Sequence, residues 1–192
     1  MSTLLPEVPT RIETDRLILR SYQAGDGPWY FRMSQRNKPH LSIFESGNAV
    51  MTIGSEKEAE NVIQDFVDCW RERKAFFMAA FMKDTKEFVA QIYIGVVKWD
   101  LPEFEIGYFA DVDHEGRGFV TEAVKGALNW IFTCLGAHRV RLECDETNVR
   151  SIKVAQLCGF TKEGHIRETK RNANGKYTGD VHYSLLKSEF VP

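Results

Sequence analysis

Residues 104–135 place a strand, a glycine turn and a buried helix in direct succession, and this run constrains the chain most. Residues 104–112 are aromatic and apolar with few breakers, which reads as a strand. Phe119, Ala123, Val124, Ala127, Leu128, Ile131, Phe132 and Leu135 then recur at the spacing of one buried helical face. Gly136 can take the left-handed conformation that ends such a helix. Between strand and helix stands His114-Glu115-Gly116-Arg117-Gly118, with no Ser, Thr, Asp or Asn to cap the helix start. The first helical amides therefore point outward without a side-chain partner. An anion can approach them across glycine, favoured by the helix dipole, with Arg117 adding charge. A plain glycine turn is the alternative, since Gly itself is a tolerated cap. A dinucleotide fingerprint is excluded because its third glycine would fall at Thr121, and no Walker tripeptide Gly-Lys-Ser/Thr occurs.

The flanking chain supplies sheet and helices around this unit. Residues 1–13 are expected to be a loose lead, and 16–20 alternate into a first strand. Helices are expected at 24–36 and 56–73, the second opened by Ser55 and Glu58 at capping-box spacing. Residues 37–54, with Pro39 and two glycines, read as a long surface loop. The runs 75–82 and 88–99 suit strands buried on both faces, with a bulge expected at Gly95. A strand at 138–144 and a helix at 148–158 closed by Gly159 follow. Two last strands, 160–170 and 177–187, should form a hairpin around Asn174-Gly175. The fold class is thus α/β: one domain over residues 1–192, a mixed sheet of about seven strands and helices on its faces.

Composition narrows the function. A net charge of −2 and a pI near 6.2 argue against direct nucleic-acid binding. The four cysteines, Cys69, Cys134, Cys144 and Cys158, lack zinc or CxxC spacing, and the histidines are scattered, so no metal is expected. No basic, apolar leader opens the sequence and the apolar run 75–82 is too short to span a bilayer. A cytoplasmic protein without membrane contact is expected.

Glu105-Ile-Gly-Tyr108, followed by Glu115-Gly-Arg-Gly-Phe-Val120-Thr-Glu-Ala, resembles the acetyl-CoA loop of the GNAT N-acetyltransferases, more narrowly the RimJ/RimL type. In the superfamily pattern R/Q-x-x-G-x-G/A, Gly118 fits the fourth position, while Glu115 and Val120 depart from the first and last. A second block is more specific: Asn148-x-x-Ser151, then Gly159-Phe160-x-x-Glu163-Gly164 and Ile166-Arg167. Gly179-Asp180 precedes the last strand, and the likeness runs from about Thr14 to Leu186.

The resemblance implies a mostly antiparallel GNAT sheet that splays between its fourth and fifth strands, here 104–112 and 138–144. It implies acetyl-CoA as cosubstrate, held by Phe109, Val112, Gly116, Arg117, Gly118, Phe119, Val120, Asn148 and Ser151. A backbone amide near Phe109 would stabilise the oxyanion, and Ser151 would protonate the leaving thiolate. Glu105 would bind the acceptor amine or relay its proton. Read without the resemblance, Asn148 is a helix cap, Ser151 a solvated first-turn residue and Glu105 an outward-facing carboxylate. No tyrosine lies in 144–160 to act as the acid used elsewhere in the superfamily.

The expected reaction is direct acetyl transfer to a primary amine, foremost the α-amino group of a protein or peptide N-terminus. At pH 7 roughly a tenth of α-amino groups are neutral, against about one lysine in 2,500. The gap is about 3 kcal/mol, and the sequence shows no strong base to close it. A small-molecule amine as acceptor and a non-catalytic acyl-CoA-binding module are the alternatives. The chain is expected to be a monomer or homodimer.

Overall fold

Ala75–Met82 (β3) lies near the middle of the sheet and shows why a continuous apolar run is needed there. Phe76, Met78 and Ala80 enter one core, while Ala79, with Phe77 and Phe81, enters another on the opposite face. The computed structural model describes residues 8–172 and 175–192. Its other strands are β1 (Arg11–Glu13), β2 (Leu17–Ser21), β4 (Phe88–Lys98), β5 (Glu103–Ala110), β6 (Arg139–Asp145), β7 (Thr161–Arg171) and β8 (Tyr177–Leu186). The helices are α1 (Gly27–Leu41), α2 (Glu56–Arg71), α3 (Phe119–Cys134) and α4 (Val149–Leu157). The strands form one 8-stranded sheet in the order β1-β2-β3-β4-β5-β6-β8-β7. Helices α3 and α4 cover one face, packing Phe119, Val124, Leu128, Ile131 and Ala155 against it. Helices α1 and α2 cover the other with Tyr30, Met33, Ile63 and Phe66.

Four expectations are corrected. The lead is not loose throughout: Arg11–Glu13 pairs with β2 as an eighth strand, and Trp130 Nε1 donates to Pro9 O at 3.0 Å. Helix α1 does not stop at 36 but runs through Pro39 to Leu41. Proline there removes a single N–H in the last turn, and buried side chains such as Asn37 hold the turn in place. The supposed loop 37–54 is correspondingly shorter and contains a 3-10 turn at Ala49–Thr52. The register break in β4 falls between Val96 and Lys98 rather than at Gly95. Gly95 is small because the Tyr93 ring lies over it, where a Cβ would collide. Asn174 of the expected hairpin turn lies outside the described residues; β7 and β8 do pair antiparallel on either side.

The pairing of β5 with β6 positions the site. It is parallel, unlike every other described pairing, and it holds only for Glu103↔Arg139, Phe104↔Val140 and Glu105↔Arg141. Beyond that point the two strands part, so the splay expected from the resemblance opens between them.

A buried knot fixes the upper end of β5. Asp111 is fully buried and accepts hydrogen bonds from Asn37 Nδ2 at 2.8 Å, from Arg36 Nε and Nη2, and from His114 Nδ1 at 2.8 Å. Asn37 Oδ1 in turn accepts from the Val112 amide at 2.8 Å. Burial alone would raise the Asp111 pKa; the bonds from Asn37, Arg36 and His114 together outweigh it and hold the carboxyl below its ordinary value. A carboxylate with a depressed folded pKa stabilises above its unfolded pKa of about 3.9, and that contribution disappears as pH falls through the folded value. Urea midpoints at pH 7 and pH 3 should therefore converge in Asp111→Asn relative to the parent. An equal acid-induced drop in both proteins would remove Asp111 from the account.

Candidate active site

The opened seam contains a cavity of about 370 Å³. Glu105, Ile106, Gly107 and Tyr108 line it from β5, and Leu142, Glu143, Cys144 and Asp145 from β6. Asn148 and Ser151 approach from α4, Lys170 from β7, Asp180 from β8, and Phe44 with Glu45 from the segment after α1. The backbone of β5 presents free polar groups to this space. Asp111 N–H donates to Val89 O at 2.9 Å, and the β4–β5 register then makes Phe109 and Gln91 a hydrogen-bonded pair. The Phe109 amide thus faces β4, and its ring packs in the α1–α2 core. The amides that face the seam are the neighbouring ones, Tyr108 and Ala110, which have lost β6 as a partner. Both adjoin Phe109, because alternation along a strand sends successive amides in opposite directions.

The glycine turn lies above the seam. Gly116 and Gly118 have φ of +73° and +77°, the left-handed region that favours glycine. Gly118 is the cap residue of α3 and offers no side chain, and the first bond of the helix is Glu122 N–H to Gly118 O at 3.1 Å. The amides of Phe119, Val120 and Thr121 make no hydrogen bond among the described residues. Arg16 braces the turn from below, donating to Arg117 O at 3.2 Å, pairing with Glu122 at 2.6 Å and stacking on Phe119. Arg117 has no carboxylate partner among the described residues. Glu115, whose charge opposes an anion here, is neutralised by Arg150 of α4 and lies 3.1 Å from His40 Nε2 of α1. The turn therefore offers backbone amides and one guanidinium without a carboxylate partner among the described residues, an arrangement suited to an anion. The Val112 amide is used by Asn37.

The profile of the acetyltransferase (GNAT) domain matches residues 16–161 of this chain. The chain belongs to the GNAT acetyltransferases. Over 134 residues it is 30% identical to the uncharacterized N-acetyltransferase p20 of Bacillus licheniformis, covering 70% of this chain and 75% of that protein. A shorter match, 30% over 79 residues, links it to the spermidine N(1)-acetyltransferase of Vibrio cholerae, covering 41% and 45% of the two chains. Among solved structures, the ribosomal-protein-S5-alanine acetyltransferase of Vibrio fischeri superposes with a TM-score of 0.82 at 20% identity, over 96% of this chain and 100% of that one. RimL, the ribosomal L7/L12 α-N-protein acetyltransferase in complex with coenzyme A, gives 0.81 at 19% identity, over 93% and 97%. At these identities the superpositions establish the fold alone. This acetyltransferase is an acetyl-CoA-dependent enzyme that acts on amines. Among the described residues no helix is long and apolar enough to cross a membrane, and no cluster of His, Cys, Asp and Glu could hold a metal.

Of the residues singled out in the sequence, Glu105, Asn148 and Ser151 line the cavity, while Gly116 to Val120 form the turn at the start of α3. Asn148 does cap α4, its Oδ1 accepting from Ser151 N–H at 3.2 Å, which leaves its Nδ2 free. Ser151 lines the cavity, and its carbonyl accepts from the Tyr108 hydroxyl at 3.1 Å. Glu105 is at the seam's mouth but tied down: Arg141 places Nε and Nη2 on one carboxylate oxygen, at 3.0 and 2.7 Å. Sequence reasoning missed Tyr108, the phenol beside Ser151, by searching for a tyrosine only in 144–160. It comes from the opposite strand, and burial raises its pKa. Asp145 and Asp180 were missed as a pair. Both are buried, both contact Lys170 Nζ (3.4 and 2.5 Å), and Thr147 and Thr178 bond Asp145 further. The Gly179-Asp180 motif was a visible signal for half of that pair.

Proposed function

We propose that this acetyltransferase transfers acetyl from acetyl-CoA directly to the α-amino group of a peptide or protein N-terminus. The observation that carries the reading is the cavity in the β5–β6 seam, which is rich in carboxylates and opens beside exposed apolar side chains. Glu45, Glu105, Glu143, Asp145 and Asp180 face Lys170 across it, an environment suited to an ammonium group. Phe44 lines the cavity at 42% exposed and Ile43 next to it is 62% exposed, a surface on which the side chains following an N-terminus could rest.

In this reading the coenzyme's pyrophosphate lies on the amides of residues 116–120, with Arg117 alongside. The thioester lies in the seam, its carbonyl oxygen within reach of the Tyr108 or Ala110 amide. Asn148 orients the coenzyme's thiol end through its free amide nitrogen. The neutral amine attacks the carbonyl carbon, the C–N bond forms and the C–S bond breaks. Ser151 Oγ, or the Tyr108 phenol beside it, returns a proton to the thiolate. Glu105, fixed by Arg141, adds negative charge near the ammonium. Direct transfer is supported by the one thiol in the cavity, Cys144. Burial first, then the charges of Asp145 and Asp180, push its pKa up to about 11, so it is a poor nucleophile at neutral pH.

A second reading, transfer to a polyamine, is favoured by the excess of carboxylates over cations in the cavity and by the similarity to a spermidine acetyltransferase. The two are separated with matched peptides, one with a free N-terminus and blocked lysine, the other reversed, assayed beside spermidine for release of coenzyme A. The N-terminal peptide should react fastest. Preference for the lysine peptide, or for spermidine over both peptides, rules the first reading out.

Gly118→Leu should abolish measurable acetyl-CoA binding by calorimetry, because a side chain would crowd the cradle and the left-handed φ would be strained. Unchanged affinity would move the pyrophosphate elsewhere. Ser151→Ala and Tyr108→Phe distinguish the two proton donors. The one that serves should lower kcat by about 100-fold with the acetyl-CoA affinity retained, and full turnover in both variants would remove both from the chemistry.

A further inference from the structure

Five carboxylates line the cavity, and four of them have a basic neighbour. Glu105 is held by Arg141, and Glu143 lies 3.5 Å from His182 Nδ1. Asp145 and Asp180 share Lys170. Glu45 alone among these five makes no ion pair within the described residues. Its backbone is nevertheless well fixed: Glu45 N–H donates to Leu41 O at 2.7 Å, continuing from the end of α1, and Asn48 N–H donates to Glu45 O at 2.9 Å. It lines the cavity together with Tyr108 of β5 and Lys170 of β7.

We propose that Glu45 is the group that removes the proton from the acceptor ammonium. This rests on reading the cavity as the acceptor site. A carboxylate already paired with arginine or lysine is a weak base, because the cation stabilises its charged form, and Glu143, beside a histidine instead, is 54% exposed and so better solvated than a base at a cavity wall. An unpaired one at the cavity wall keeps its basicity for the incoming ammonium. Burial raises the Glu45 pKa above the ordinary carboxylate value, against a hydrogen bond from Asn48 and the charge of Lys170, which narrows its gap to an amine.

The protons balance as follows. An N–H bond of the ammonium breaks and an O–H bond forms on Glu45, leaving the amine lone pair free to attack the thioester carbon. As the C–S bond breaks, its electron pair leaves with sulfur. The second proton lost by nitrogen replaces the one supplied to that sulfur, giving the amide and free coenzyme A thiol. Glu45 then releases its proton to solvent, so one proton is liberated per turnover. The ionisable groups that face Glu45 are Lys170 of β7, Asp180 of β8, Glu143, Cys144 and Asp145 of β6, and Glu105 and Tyr108 of β5.

The test is the pH profile of kcat/KM for the parent, Glu45→Gln and Glu45→Asp, from pH 6 to about one unit above the acceptor's own pKa. The acceptor is whichever amine the parent acetylates, so the acceptor assignment can fail without affecting this result. Glu45→Gln should lose about 100-fold at pH 7, and the loss should shrink to a few-fold as pH passes the acceptor's own pKa. Glu45→Asp should recover part of the rate, and acetyl-CoA affinity and thermal midpoint should be unchanged in both. A uniform loss at every pH would mean that Glu45 merely binds the acceptor, and no loss would mean that it is a bystander. Either result overturns the proposal. If Glu45→Gln proves misfolded, the Glu45→Asp profile decides alone: it must show a deficit that closes with rising pH.

Discussion

The parting of β5 from β6 is the constraint on which the rest of the molecule depends. Three residue pairs hold the parallel junction, and past Glu105 and Arg141 the sheet surrenders its ladder. Backbone polar groups left unpaired inside a protein are costly unless something satisfies them. In this enzyme they face a cavity of about 370 Å³, so the interrupted ladder leaves backbone groups open to a bound molecule. The ends of the seam are held by means other than pairing. Below it, Arg139 and Arg141 bond to Glu103 and Glu105 across the junction. Above it, the Asp111 knot ties β5 to α1, and Glu115 ties the glycine turn to Arg150 of α4.

Electrostatics divide the site into two halves. The glycine turn presents outward amides and the unpaired Arg117, while the nearby Glu115 and Glu122 are paired with Arg150 and Arg16. That arrangement suits a phosphate-bearing substrate. The far end is acidic and suits a cation. In the proposed reading, a coenzyme and an amine of opposite charge would be drawn to opposite ends of one seam. The ordering needs no metal and little covalent participation by the protein, because a thioester is already activated and the task is to hold two reactants in register.

The departures from the superfamily pattern also find a physical place. Glu115 stands where the pattern has a basic or amide residue, yet it serves as a strut between α1 and α4 rather than as a contact for anions. Val120, in the first turn of α3, packs partly into the core, and its amide stays free. Backbone amides do not depend on the side chain that carries them, which is why such a cradle tolerates substitution.

Much of the architecture was legible in the sequence. The spacing of Phe119, Ala123, Val124, Ala127 and Leu128 gave α3, Gly136 ended it, and the double-faced apolar run gave β3. These features are local, set by periodicity and by the few residues that tolerate positive φ. The left-handed turn at Gly118 and the Asn148 cap of α4 were legible for the same reason, since turn and cap are short-range. What tertiary structure decided is whatever depends on a distant partner. The continuation of α1 past Pro39 follows from Asn37 meeting Asp111, 74 positions away. The direction of the Phe109 amide follows from its register with β4. The pairing of Glu105 with Arg141, of Glu115 with Arg150, and of Asp145 and Asp180 with Lys170 brings together charges from separate strands and helices. Sequence alone supplied the carboxylates; only the fold determined that four of those lining the cavity stand beside a basic side chain while Glu45 makes no ion pair among the described residues.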